Sequence, residues 1–94
     1  MRKSAIIYIM RKDVEDYYKF ASPQFKDKAV DMLWEEFERR RGWRRAGAKA
    51  YKDSTDREIL SNILVELMTT KHLFAFMVDK ELGLLWIKKN LLKK

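Results

Sequence analysis

The sequence predicts a mainly α-helical single domain, a three-helix core followed by a C-terminal β-hairpin, with an all-α four-helix arrangement as the alternative. Three observations predict it. Residues 23–41 and 55–71 carry apolar side chains at three- and four-residue spacing behind recognisable helix openings. Residues 4–20 repeat that spacing more loosely. Two apolar runs near the C-terminus flank a charged segment ending in glycine, the pattern of a hairpin. At 94 residues the chain is a single domain, because cores large enough to split need well over twice this length.

In residues 4–21, Ile7, Met10, Val14, Tyr17 and Ala21 favour a helix, and the isoleucine-rich start competes as a short buried strand. The second helix opens at Ser22-Pro23, where a hydroxyl can accept from free backbone amides and the proline's fixed φ suits the first turn. Phe25, Ala29, Leu33 and Phe37, widened by Val30 and Trp34, form its buried stripe. Arg39, Arg40 and Arg41 then meet the carbonyl end of the helix dipole, and Gly42 is suited to a left-handed cap. Thr55-Asp56-Arg57-Glu58 is a capping box that opens the third helix. Ile59, Leu60, Ile63, Leu64, Leu67 and Met68 supply its apolar face, and the β-branched pair Thr69-Thr70 weakens its continuation. Leu73–Val78 and Leu84–Ile87 around Asp79–Gly83 read as the hairpin, with a prolonged helix competing. Three helices followed by a hairpin resembles the winged-helix arrangement in outline only. No residue motif of that family is present, and the 23–41 helix is longer than its compact turn.

Composition excludes several classes. With no cysteine there are no disulfides, thiolate metal sites or cysteine nucleophiles. Met1–Met10 imitates a signal peptide, but Ala5–Met10 is a six-residue run closed by Arg11-Lys12-Asp13 without a small-residue cleavage site. The run Leu73–Val78 is equally short, against the ~20 residues a membrane-spanning helix needs. A soluble, cytoplasmic protein is the expectation. One glutamine (Gln24) and two asparagines beside 37% charged residues resemble hyperthermophile composition, against which the five methionines weigh.

The charge is unevenly laid out. Residues 39–52 hold Arg39, Arg40, Arg41, Arg44, Arg45, Lys49 and Lys52 without an acid, and the other 80 residues hold 14 bases and 14 acids. The whole excess of +7 therefore lies in one window. Arginine makes paired hydrogen bonds to phosphate oxygens, and Trp43 and Tyr51 are placed to stack on bases. The leading expectation is a nucleic-acid-binding accessory or regulatory protein, on DNA or RNA, using these nine residues. Four to six phosphate contacts would give a log–log salt slope of about −3.5 to −5.5 on duplex DNA. Carboxylates folded onto those guanidiniums would remove the docking site. A solvated loop, with Trp43 stapling it to the core, is the plainer alternative. Lys88, Lys89, Lys93 and Lys94 make a secondary basic patch beside Leu91 and Leu92, with contact to an anionic membrane ranked low.

The other function class is assembly, as a helical homo-oligomer or adaptor with a homodimer or acidic protein partner. Trp34, Phe37, Phe74, Phe76, Met77, Leu85 and Trp86 exceed what a small core readily hides. Catalysis ranks below both. Carboxylates cluster at Asp13/Glu15/Asp16, Glu35/Glu36/Glu38 and Asp53/Asp56/Glu58, but helix ends and solvated faces account for each. His72 is the only imidazole, which leaves metal-free RNA cleavage with Arg and Tyr partners as the one remaining catalytic route. No phosphate-cradling glycine loop occurs, and no catalytic residue, metal or cofactor is assigned.

Overall fold

The computed structural model describes residues 1–92 and is helical throughout: α1 (Lys3–Tyr17), α2 (Pro23–Arg45), α3 (Asp56–Thr69), α4 (Lys71–Val78) and α5 (Lys80–Asn90). The predicted openings form as expected. Ser22 Oγ accepts from the Phe25 amide at 3.1 Å, and Thr55 and Glu58 close the capping box on each other's backbone. Ile6, Met10 and Val14 of α1 are buried, which excludes the competing strand at the N-terminus. Thr69 and Thr70 end α3 by turning their hydroxyls back to carbonyls of the preceding turn, Thr70 Oγ1 to Glu66 O at 2.6 Å.

The C-terminal β-hairpin is not there, and the winged-helix outline goes with it. No strand occurs among the described residues, and the all-α alternative gives the correct class, with five helices rather than four. Asp79 explains the difference. It takes an extended conformation (φ −153°), breaks the long helix into α4 and α5, and accepts from the Leu82 amide at 3.1 Å as the cap of α5. The segment read as a hairpin loop is thus the first turn of a helix. Gly83 marks a helix crossing: a Cβ there would lie 2.3 Å from Phe76 Cα and 2.9 Å from the Ala75 carbonyl carbon. Gly42 is a second correction. α2 continues through it to Arg45, and the one positive φ among the described residues belongs to Gly47, at 80°.

The core joins Ile6, Met10 and Val14 to Phe25, Ala29, Val30, Leu33 and Phe37 of α2 and Ile59, Leu60, Ile63 and Leu67 of α3. Tyr18 closes one end, donating its hydroxyl to the Lys71 carbonyl and packing on Phe25, Phe74 and Trp86. From α4 only Ala75 is fully buried. α5 packs chiefly on α4 and meets the core through half-buried Leu82 and Trp86. The result is elongated, 46 × 25 × 17 Å. Of the apolar residues expected to exceed the core, Phe37 is buried, Trp34, Phe74, Phe76 and Trp86 are half-buried, and Met77 and Leu85 are exposed.

Candidate nucleic-acid interface

The last turns of α2, the 46–55 connection, the first turn of α3 and the amino terminus meet at one end of the bundle. Asp56 is the hub. Its carboxylate lies 2.8 Å from Arg44 Nη2, 3.6 Å from Arg41 Nε and 3.7 Å from the Met1 amine. Burial pushes the Asp56 carboxyl up, yet Arg44, Arg41 and the terminal amine outweigh burial and hold it below the ordinary carboxylate range. Arg44 also donates from Nη1 to the Ser54 carbonyl at 2.9 Å, fixing the end of the connection against α2.

The remaining α2 arginines are engaged along the helix and across it. Glu36 accepts from Arg39 and, at 2.9 Å, from Arg40 Nε, while Glu38 accepts from Arg41 at 2.8 Å. These are the three- and four-residue spacings at which helical side chains meet. Arg40 reaches further, donating from Nη2 to Glu66 of α3, and is only 8% exposed. Its guanidinium lies 5.8 Å from the Tyr51 ring. Tyr51 in turn packs on Trp43 with ring centroids 5.9 Å apart.

The expectation of seven available cations is therefore corrected. Arg39, Arg40, Arg41 and Arg44 are bound to carboxylates, and Tyr51 is half-buried against the core. Arg45, Lys49 and Lys52 remain exposed and without an ion pair among the described residues, beside a Trp43 that is 43% exposed. The acid-free window was an effect of where it began. Glu36 and Glu38 stand just before it, and folding brings Asp56 and Glu66 from α3.

The structure adds groups that the window omitted. Arg57 is exposed in the first turn of α3 and without an ion pair among the described residues, and Arg2 is exposed next to the Met1 amine. The capping box, which fixes where α3 begins, was the signal that could have placed Arg57 there. Eight cationic groups at this end (the amine, Arg2, Arg41, Arg44, Arg45, Lys49, Lys52, Arg57) face four carboxylates (Glu38, Asp53, Asp56, Glu58), so it stays positive.

The secondary patch does not join this site. Lys89 lies with its Nζ 4.6 Å over the Phe20 ring, at the α1–α2 turn and so at the other end of α1 from Met1. Lys88 is exposed on the same helix, while Lys93 and Lys94 lie outside the described residues. His72 stacks on Trp86 at 6.3 Å. Among the described residues no three His, Asp or Glu side chains converge as a metal site, and no helix is long and apolar enough to cross a membrane. Comparison with protein families, with curated proteins and with solved structures finds no match to this chain.

Proposed function

We propose that the chain binds the phosphate backbone of nucleic acid through the cationic end of its bundle, on a narrower footprint than charge counting suggests. The observation that carries this reading is a set of exposed cations without an ion pair among the described residues, Arg45, Lys49, Lys52 and Arg57, on the segment from the end of α2 to the first turn of α3 that also carries the exposed Trp43. In this reading Arg40, Arg41 and Arg44 act as scaffold, tying the end of α2 to α3 and to the end of the connection. Four phosphate contacts correspond to a log–log salt slope of about −3.6 on duplex DNA, shallower than the steep end of the sequence-based range.

The test is a salt-dependent titration of duplex DNA, single-stranded DNA and structured RNA with the natural chain and with Arg45→Ala/Lys49→Ala/Lys52→Ala/Arg57→Ala. The expected result is a slope reduced by about 4 × 0.9 and strong loss of affinity at every sequence. Unchanged affinity and slope reject the reading. Preferential loss of single-strand binding in Trp43→Ala would assign a stacking role to that ring, worth roughly 1–3 kcal/mol per base.

A second reading, assembly with a second copy of the chain, has its own observation. α5 exposes Leu84 and Leu85 beside Lys80 and Lys88, and Leu91 just past its end is exposed as well. The α2–α3–α4 groove is lined by Met32, Phe74 and exposed Leu73 and Met77, with Glu35, Glu36 and Glu66 outnumbering Arg39 and Arg40 in its lining. Apolar surface and opposite charge are thus both present in one chain. A monomer at all concentrations in sedimentation equilibrium would reject it.

A further inference from the structure

We propose a second binding site, for a small flat aromatic ring carrying one anionic group, in the cavity between the α1–α2 turn and the α4–α5 pair. The cavity measures about 220 Å³, below the range typical of drug-sized pockets, so it suits a ligand of one or two rings. Aromatic and cationic side chains alternate around it. Tyr17, Phe20 and Trp86 offer ring surface, and Lys19, Lys71 and Lys89 bring three ammonium groups against the single carboxylate of Asp16.

Lys71 carries the argument. It is half-buried, yet among the described residues no carboxylate lies within ion-pair distance of its Nζ, which rests 5.7 Å from the Trp86 ring and 5.9 Å from the Tyr17 ring. Ring faces attract a cation weakly compared with a hydrogen-bonded anion, so an anion entering the cavity would compete favourably for this ammonium. Lys89, on the exposed rim, lies 4.6 Å over the highly exposed ring of Phe20. An anionic ligand would draw both ammonium groups toward its charge and stack its aromatic plane against the Tyr17 and Phe20 rings. The Tyr18 hydroxyl is not available to a ligand, because it is spent on the Lys71 carbonyl; it fixes the floor of the cavity and the start of α4. This site stands or falls separately from the cationic end, since it lies at the opposite end of α1.

The test follows the Trp86 indole N–H and the backbone amides of residues 17–22 and 80–89 by NMR in the full chain, titrated with four probes. These are a nucleoside 5′-monophosphate, indole-3-carboxylate, inorganic phosphate and an uncharged nucleoside. The expected result is saturable shifts at Trp86 for at least one aromatic anion, with Kd on the order of a millimolar or tighter. That anion should bind at least tenfold more tightly than phosphate or the nucleoside. The better of the two aromatic anions identifies a phosphate or a carboxylate as the natural anionic group. Lys71→Met should weaken binding about tenfold; Lys89→Met, on the exposed rim, provides the same readout if the first variant disturbs α4. The proposal is overturned if neither aromatic anion shifts Trp86, if the uncharged nucleoside binds equally well, or if a folded lysine variant binds as the natural chain does.

Discussion

The three glycines give opposite predictions for one chemical change, which makes glycine-to-alanine substitution a sharp test of the helix boundaries. Gly42 lies inside α2, and an added Cβ there meets nothing within 4 Å. Alanine is favoured over glycine in a helix interior by about 0.8–1.0 kcal/mol, so Gly42→Ala should stabilise the chain by that amount. For a domain of this length this corresponds to a rise in Tm of about 4–8 °C. Had α2 ended at Gly42 in the left-handed region, the same change would cost about 1–2 kcal/mol. Gly47, with φ at 80°, should show that cost. Gly83→Ala must push two backbones apart, because the new carbon would lie 2.3 Å and 2.5 Å from Phe76 Cα and N. A loss of about 1–3 kcal/mol is expected, together with altered Trp86 fluorescence as α5 shifts. Urea and thermal unfolding monitored by circular dichroism measure all three. Destabilisation by Gly42→Ala, or a neutral Gly83→Ala, would refute the reasoning.

The ion-pair scaffold yields further predictions. Arg40→Ala should cost about 2 kcal/mol, less than the 3–5 kcal/mol for breaking a fully buried pair, because Glu66 is 59% exposed and regains water; a loss under about 0.5 kcal/mol in urea unfolding would show that Arg40 does not lock α2 to α3. Asp56 has a lowered pKa in the folded chain, so its contribution is complete above the ordinary carboxylate range near 4 and is lost as pH falls through the lower folded value. Asp56→Asn should therefore be less stable than the natural chain at neutral pH, with the gap closing under acid; a pH-independent gap in unfolding curves would contradict this. Arg44→Ala should raise proteolytic cleavage in the 46–55 connection, because it removes both the Asp56 pair and the Ser54 carbonyl contact. An unchanged cleavage rate would count against the scaffold role.

What could be read in advance was what neighbouring residues decide. Ser22-Pro23 and Thr55–Glu58 cap their helices through contacts three residues long, and both openings appear where the sequence places them. The 73–90 region depended instead on contact between segments. An unbroken apolar run carries no period, and Gly83 is consistent with a loop until the backbone of Phe76 lies against it. Gly42 was misjudged because a local propensity of about 1 kcal/mol was set against nothing, whereas Arg40, Arg41 and Arg44 anchor the helix on both sides of it. The candidate site failed in part for a similar reason. Glu36 and Glu38 were visible at helical spacing from Arg39–Arg41, but Glu66 and Asp56 became partners only through the packing of α2 on α3. Arg45 at the end of α2 and Lys49 and Lys52 in the connection are exposed, as the sequence predicts.

The thin attachment of α5 gives the chain two tiers of cohesion. Because Leu82 and Trp86 are only half-buried and the main neighbour of α5 is the short α4, the last helix can open while α1–α3 hold. Amide protons of 80–90 should then exchange with solvent long before those of Met10, Leu33 or Ile63. A molecule seated against both Tyr17 and Trp86 would act as a clasp across that seam, and its occupancy could be timed by how slowly the terminal helix takes up deuterium.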